Sequence, residues 1–153
     1  MSPADDTPGI VVERYKYILQ QIHTVNENVY RFLAIFQTLA TAIVTAALAL
    51  FVSYSSWNIA PATARIGVRG LLTLVTVAAS FTVLLIVVGV LSWIDYRREE
   101  CELTAKYFEA EFRKAPRLRN FYRWYEIYIV LFIIATTVLL WALSETVIIP
   151  RIT

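Results

Sequence analysis

Residues 33–53 read LAIFQTLATAIVTAALALFVS and contain no Asp, Glu, Lys, Arg or His. Two further runs, 71–93 and 127–143, are equally free of these residues. At a rise of about 1.5 Å per helical residue, each run suits a hydrocarbon core about 30 Å thick. A helix satisfies its own backbone hydrogen bonds in lipid, whereas a charge at mid-span would cost about 2.5–3.5 kcal/mol. The sequence therefore predicts an all-α integral membrane protein with three transmembrane helices.

The three runs divide the chain of 153 residues into short segments. We expect a disordered N-terminus at 1–9, a cytoplasmic amphipathic helix at 10–32 that continues into span 1 at 33–53, an external loop at 54–70, span 2 at 71–93, a basic helical cytoplasmic loop at 94–125, span 3 at 126–145 and an external tail at 146–153. None of the segments outside the membrane is long enough for a soluble catalytic domain.

Residues with chemical function are few. Cys101 is the single cysteine and His23 the single histidine, and the four glycines are scattered, so no nucleophile and base pair and no phosphate-binding loop is evident. No group of residues at metal-ligand spacing accompanies His23. We expect a protein that is not an enzyme and that has no metal and no cofactor.

The basic residues predict the orientation of the spans. Three Lys or Arg lie in 1–32 and eight in 94–125, whereas the opposite side has three. Because cytoplasmic segments carry the excess of basic residues, we expect the N-terminus and the long loop in the cytoplasm and the C-terminus outside.

The segment 10–32 has apolar residues at spacings of three and four, which is typical of an amphipathic helix. No Gly or Pro lies between Gly9 and the first span, so a single helix of about 40 residues is expected to enter the membrane. Its apolar stripe must be covered, either by the long cytoplasmic loop or by copies of itself across an oligomer axis.

The long loop is expected to begin as a helical extension of the second span, which Ala115 and Pro116 end. A straight extension leaves too short a return to the third span. Either the segment bends and lies near the membrane interface, or the third helix begins early, near Arg117, and packs against it.

His23, Glu27 and Arg31 recur every four residues on the N-terminal helix. One interpretation is a polar row that is either solvated or packed between helices. The other is a cytoplasmic pH or ligand sensor on a gating helix.

A second row lies inside the first span, where Gln37, Thr41 and Thr45 also recur every four residues. Small and hydroxyl-bearing residues let helices pack closely, which is one interpretation of this row and of Thr73, Thr76 and Ser80 on the second span. The other interpretation is a pore wall, in which copies of the first helix form rings of uncharged polar groups with little charge selectivity.

Basic residues are concentrated towards the end of the long loop. They are Arg113, Lys114, Arg117, Arg119 and Arg123. They either contact anionic lipid headgroups or bind a ligand that carries phosphate, since guanidinium groups pair with phosphates and neighbouring aromatic rings can stack on bases.

The layout of three segments carries a resemblance to a known class of protein. YKYILQQIHTVNENVYRFL (15–33) enters the first span, SWIDYRREECELTAKYF (92–108) leaves the second, and PRLRNFYRWYEIYIVLF (116–132) enters the third. This arrangement resembles the small membrane effectors of bacterial antiphage systems, the SLATT-like class and the effectors of Hailong-type systems. The resemblance implies a regulated pore in the bacterial inner membrane that collapses the membrane potential under control of a nucleotide or oligonucleotide made by a partner nucleotidyltransferase.

Two functions follow as hypotheses. The first is a homo-oligomeric channel, expected as a tetramer, whose cytoplasmic helices respond to an anionic nucleotide-like ligand. The second is a non-conducting membrane anchor or accessory subunit that docks a partner protein through its N-terminal helix.

Overall fold

The computed structural model describes residues 7–107, 122 and 124–153. The helices are α1 (Thr7–Ser53), α2 (Pro61–Tyr107) and α3 (Tyr125–Leu143), and α3 continues as a π-helical turn (Ser144–Ile148) and a 3-10 turn (Ile149–Arg151). All three helices are long and apolar enough to cross a membrane. The predicted all-helical membrane fold with three candidate spans is confirmed for the described residues.

Helices α1 and α2 are far longer than a bilayer is thick. Each has 47 residues and is therefore about 70 Å long, more than twice the hydrocarbon thickness. They pack antiparallel, since Arg14 contacts Glu99 near one end and Gly67 approaches Leu50 near the other. With their apolar runs in the membrane, residues 9–32 of α1 and 94–107 of α2 extend beyond it on the same side. We call this two-helix extension the stalk.

The turn between α1 and α2 lies at the opposite, far end. Asn58 has a φ of 55°, and the N–H groups of Asn58 and Ile59 donate to the carbonyls of Ser55 and Tyr54. This is the hydrogen-bond pattern of a Schellman motif, with asparagine at the left-handed position where glycine is commonest. Pro61 then starts α2, as its fixed φ and missing N–H favour.

The stalk shows what covers the apolar stripe of α1, for which the sequence left two alternatives. Ile18 and Ile22 of the apolar stripe are buried, as are Glu100 and Thr104 of α2. Arg14 forms an ion pair with Glu99 across the two helices, at 2.5 Å. The extension of α2 thus packs along α1 within one chain, so a second copy is not required to cover this part of the stripe.

Helix α3 packs beside this pair and completes the core. One cluster joins all three helices through Val29, Phe36, Ala79, Ile86 and Ile133. A second cluster at the far end joins the start of α2 to the C-terminal segment, through Ala64, Val68, Leu72, Ile149 and Ile152.

Hydrogen bonds fix the C-terminal segment against α2. The guanidinium of Arg65 donates to the carbonyl of Ile152 at 2.6 and 3.0 Å. Arg69 donates to both carboxylate oxygens of Glu145 at 2.9 Å. The segment after the third span is therefore ordered and held by two of the three arginines expected on this side.

Several expected boundaries differ in the structure. Helix α2 begins at Pro61, so only residues 54–60 form the connection. Helix α1 begins at Thr7, inside the segment expected to be disordered, while residues 1–6 lie outside the described residues. Helix α3 begins at Tyr125, and Trp124 before it has an extended backbone. Arg117, near which an early start of the third helix is one of the expectations, lies outside the described residues.

Candidate functional site

The first candidate site is the polar row of α1 inside the membrane. Gln37, Thr41 and Thr45 are all exposed in the protomer, whereas Phe36 is buried in the three-helix cluster. Thr45 lies nine residues after Phe36, which at 100° per residue is half a turn around the helix. Gln37 and Thr41 lie about 100° and 140° from Phe36 on the same count, so the row drifts along the exposed side of α1 from its flank to the side opposite α2 and α3.

Small and polar residues dominate this exposed face. Besides the row itself they are Ala34, Thr38, Ala42, Ala46 and Ala49. Four bulky apolar side chains are also exposed on the span, Ile35, Leu39, Leu48 and Val52. The face is suited to close approach of another helix, as small residues are at helix contacts in membranes.

The exposed faces of α2 and α3 have a different character. Their exposed side chains inside the membrane are mostly large and apolar, namely Leu74, Val77, Phe81, Leu84, Val87, Val88 and Leu91 on α2, and Leu131, Phe132, Ile134, Val138 and Leu139 on α3. Such surfaces suit contact with lipid chains. The protomer thus presents one face of small and polar residues, on α1, and two faces of large apolar residues suited to lipid, on α2 and α3.

Gln37 makes the polar face costly in lipid. Among the described residues, the Gln37 amide and the Thr41 and Thr45 hydroxyls have no hydrogen-bond partner, while Thr38 donates to the carbonyl of Ala34 at 3.0 Å. An amide placed in an apolar medium without a partner costs about 2–7 kcal/mol. A second copy or water at this face would remove that cost.

The polar row of α2 is arranged differently. The indole N–H of Trp141 on α3 donates to the Thr76 hydroxyl at 2.9 Å, and Thr76 donates to the carbonyl of Leu72. Thr73 donates to the carbonyl of Arg69. Thr76 therefore joins α2 to α3, as the helix-packing interpretation expects, while Ser80 is exposed.

The row of His23, Glu27 and Arg31 lies on the outer surface of the stalk. All three side chains are exposed, and His23 Nε2 lies 3.1 Å from Glu27 Oε1. Among the residues that the structure describes, no group of three His, Cys, Asp or Glu is placed to hold a metal ion. The geometry is that of a solvated row with one local pair.

The basic residues Arg113, Lys114, Arg117, Arg119 and Arg123 lie outside the described residues. Their role as a ligand or lipid site stays a prediction.

Sequence reasoning missed a cavity where the stalk meets the membrane. It has a volume of about 210 Å³ and lies among all three helices, lined by Val25, Asn26, Val29, Gly89, Val90, Trp93, Arg97, Trp124, Tyr125 and Glu126. We call it the junction cavity. Gly89, Trp93 and Arg97 follow one another at intervals of four on α2, and this spacing is the signal from which the sequence could have predicted that they share a face.

Aromatic and charged groups shape the junction cavity. The rings of Trp93 and Trp124 meet edge to face with centroids 5.7 Å apart, and the Arg97 guanidinium lies 5.5 Å from the Trp93 centroid. Tyr30 stacks on Tyr125 at 5.7 Å. Both aromatic pairs tie the start of α3 to the long helices.

Arg97 also pairs with a buried carboxylate. Glu100 is fully buried, and Arg97 Nη1 lies 2.5 Å from Glu100 Oε2. The Tyr15 hydroxyl of α1 donates to the other carboxylate oxygen at 3.5 Å. This network connects the stalk core to the wall of the junction cavity.

A second, apolar space lies beside the junction cavity, between α2 and α3. It has a volume of about 250 Å³ and is lined by Ile86, Val87, Val90, Leu91, Trp124, Glu126, Ile127, Val130 and Leu131. Val90, Trp124 and Glu126 line both spaces. We call it the α2–α3 groove.

Comparisons with protein-family models, curated proteins and solved structures found no match to this chain. The polar face of α1, the stalk and the junction cavity are the features that bear on function.

Proposed function

We propose that this protein is a homo-oligomeric membrane channel, with a tetramer as the expected assembly, in which the polar face of α1 lines the conducting path. An anionic nucleotide or oligonucleotide at the cytoplasmic face gates it. Open channels depolarise the bacterial inner membrane in antiphage defence, with the partner nucleotidyltransferase supplying the ligand.

The exposed polar row of α1 carries this proposal. Gln37, Thr41 and Thr45 face away from the packed side of their own protomer, so packing within the chain does not account for them. Facing an axis shared by several copies, they would contact water and one another. Rings of uncharged amides and hydroxyls would wet a narrow path and would discriminate weakly between cations and anions.

The unbroken α1 helix suits gating from outside the membrane. It runs from Thr7 in the stalk to Ser53 at the far end, so a rotation of the stalk turns the polar row as well. In the stalk α1 is tied to α2 by the Arg14–Glu99 pair. The basic residues of the segment after Tyr107 lie close in sequence to the stalk, which supports this side as the ligand side.

Ion flux through purified protein in liposomes tests the proposal. The double variant Gln37→Leu/Thr41→Leu should abolish flux, because leucine replaces two rings of polar groups. The matched control is Thr73→Leu/Ser80→Leu, which makes the same kind of change at two exposed positions of α2 and should leave flux unchanged. Equal effects of the two double variants would contradict an α1-lined path.

Cross-linking tests the assembly separately from conduction. Thr45→Cys in a Cys101→Ser background should form disulfide-linked dimers in membranes treated with a mild oxidant, since the α1 face meets another copy. Val77→Cys, which is 60 % exposed on α2, should not. Cross-links at Val77 and none at Thr45 would show that copies meet through α2 and not through α1. That result would refute the arrangement.

A specific observation favours the second candidate, a non-conducting anchor that docks a partner. Ile10 and Tyr17 on the stalk are 68 % and 55 % exposed, which leaves large apolar groups in solvent. Under this function the Gln37→Leu/Thr41→Leu variant stays active in cells. No flux from folded, inserted protein, with or without short oligonucleotides or cyclic nucleotides, would favour the anchor.

A further inference from the structure

We propose that the junction cavity and the α2–α3 groove together bind one zwitterionic aminophospholipid from the bilayer. One of its two acyl chains lies along the groove and the other stays in the bilayer, while the headgroup lies in the cavity with its phosphate near Arg97 and its ammonium near Glu126. This proposal is independent of whether the protein conducts ions.

The position of the two spaces matches the layers of a bilayer. The groove is lined by residues 86–91 and 127–131, which lie within the apolar runs. The cavity lies at the stalk side of these runs, where Trp93 and Trp124 stand at the level expected of interfacial tryptophans. A molecule that fills both must be apolar at one end and polar at the other.

The groove favours an acyl chain. Except for Glu126 at its stalk end, every residue lining it is apolar. It lies in a separation between α2 and α3, and Val87, Leu91 and Leu131 of its lining are exposed on the protomer surface, so a chain reaches it from the bilayer without passing through the protein. Filling it buries apolar surface of both helices and restores the van der Waals contacts that the separation leaves unmade.

The cavity favours a headgroup with both charges. Arg97 contributes a guanidinium, which pairs with phosphate through several N–H donors, and only one edge of it is engaged with Glu100. Glu126 contributes a carboxylate and Trp124 an aromatic ring, both of which attract an ammonium, while the Trp93 ring already holds the Arg97 guanidinium. A purely anionic headgroup would leave Glu126 facing negative charge.

A primary amine suits this site better than a methylated one. The ammonium of an aminophospholipid has three N–H donors for the Glu126 carboxylate and the Asn26 amide oxygen, whereas trimethylammonium has none. Hydrogen bonds to charged groups contribute about 1.5–3 kcal/mol, which predicts about tenfold or stronger preference for phosphatidylethanolamine over phosphatidylcholine with the same chains.

Titration of the full-length protein in detergent with matched lipids, followed by native mass spectrometry, tests the proposal. The lipids are phosphatidylethanolamine, phosphatidylcholine and phosphatidylglycerol with identical acyl chains. The wild type should bind phosphatidylethanolamine tightest. Equal binding of all three, or tightest binding of phosphatidylglycerol, would overturn the proposal, and the second result would indicate a site for an anionic ligand.

Variants localise the site. Glu126→Gln keeps the size of the side chain and should reduce the preference for phosphatidylethanolamine over phosphatidylcholine to about onefold, while Glu102→Gln, an exposed stalk position, should retain it. Gly89→Leu should fill the cavity and weaken binding of the headgroup about tenfold or more. Gly89→Ala should not, because its Cβ would stand 3.7 Å from Val29, an ordinary contact. A preference unchanged by both Glu126→Gln and Gly89→Leu would place the lipid elsewhere.

Discussion

Gly67 on α2 allows α1 to approach closely near the far end, and replacing it tests the helix packing that decides which face of α1 is exposed. A Cβ added at Gly67 would lie 2.6 Å from Leu50 Cδ2 of α1. Ordinary carbon contacts begin at about 3.5 Å, so Gly67→Ala must displace the Leu50 side chain by nearly an ångström. Leu50 packs against the far-end cluster, which limits where it can go.

The magnitude follows from two opposing effects. Alanine gains about 0.5–1 kcal/mol over glycine in a helix. Overpacking costs about 1–3 kcal/mol, and the lower part of that range applies because the displaced atom is the end of a flexible side chain. Gly67→Ala should therefore be neutral or destabilising by about 1 kcal/mol. Gly70→Ala is the matched control, since nothing lies within 4 Å of its added Cβ. It should be stabilising by about 0.5–1 kcal/mol.

Unfolding in mixed micelles of rising denaturing-detergent fraction, followed by circular dichroism, measures both free energies of unfolding. In a Leu50→Ala background the obstructing methyl groups are absent, so Gly67→Ala should then behave like Gly70→Ala. A double-mutant cycle gives this coupling as about 1–2 kcal/mol. If the two glycine variants have equal effects in the wild-type background, the close approach of α1 to α2 is refuted.

Two further substitutions test contacts that hold the helices together. Trp141→Phe removes the indole donor to Thr76 and should lower the free energy of unfolding by about 0.6–1.5 kcal/mol, measured in the same mixed micelles. Trp141→Phe combined with Thr76→Val should cost little more than either change alone. Additive costs would show that the hydrogen bond is absent. Arg97→Gln removes the guanidinium that pairs with the buried Glu100 carboxylate and should lower the melting temperature strongly, at a cost of about 3 kcal/mol. Arg14→Gln removes a cation whose side chain is 62 % exposed and should cost less than about 1 kcal/mol, so similar losses from the two arginines would contradict the burial of Glu100.

The proposed conducting face and the proposed lipid site lie at different places on the protomer and can be tested independently. The polar face of α1 faces away from α3, while the junction cavity and the α2–α3 groove involve α3 directly. A lipid in the groove therefore leaves the α1 face free for another copy. Loss of lipid selectivity with flux intact, or the reverse, would separate the two proposals.

Much of the fold follows from local sequence. The absence of charge in three long runs predicts the spans, because such a run enters hydrocarbon without the large cost that a charge at mid-span carries. The absence of Gly and Pro after Gly9 favours a continuous helix into the first span, and α1 indeed runs unbroken from Thr7 to Ser53. The spacing of Gln37, Thr41 and Thr45 places them on one side of a helix, whatever surrounds it.

The direction in which that side points was decided by tertiary packing. Helical periodicity groups residues into faces, but whether a polar face meets another helix of the same chain depends on how α1, α2 and α3 pack. Thr76 and Thr41 belong to similar rows, yet Thr76 accepts a hydrogen bond from Trp141 while Thr41 is exposed. Sequence spacing alone does not distinguish them.

By itself the sequence determined the class of protein, three spans and the faces of each helix, since these depend on composition and on a period of 3.6 residues. Only the tertiary structure decided that α2 covers the apolar stripe of α1 in the stalk, that Glu100 is buried with Arg97, and that the junction cavity exists. The physical reason is that these features form only when separate helices pack together, as where Tyr15 of α1 meets Glu100 of α2, 85 positions away in the chain. Such contacts depend on the register of two 47-residue helices, which no local pattern encodes.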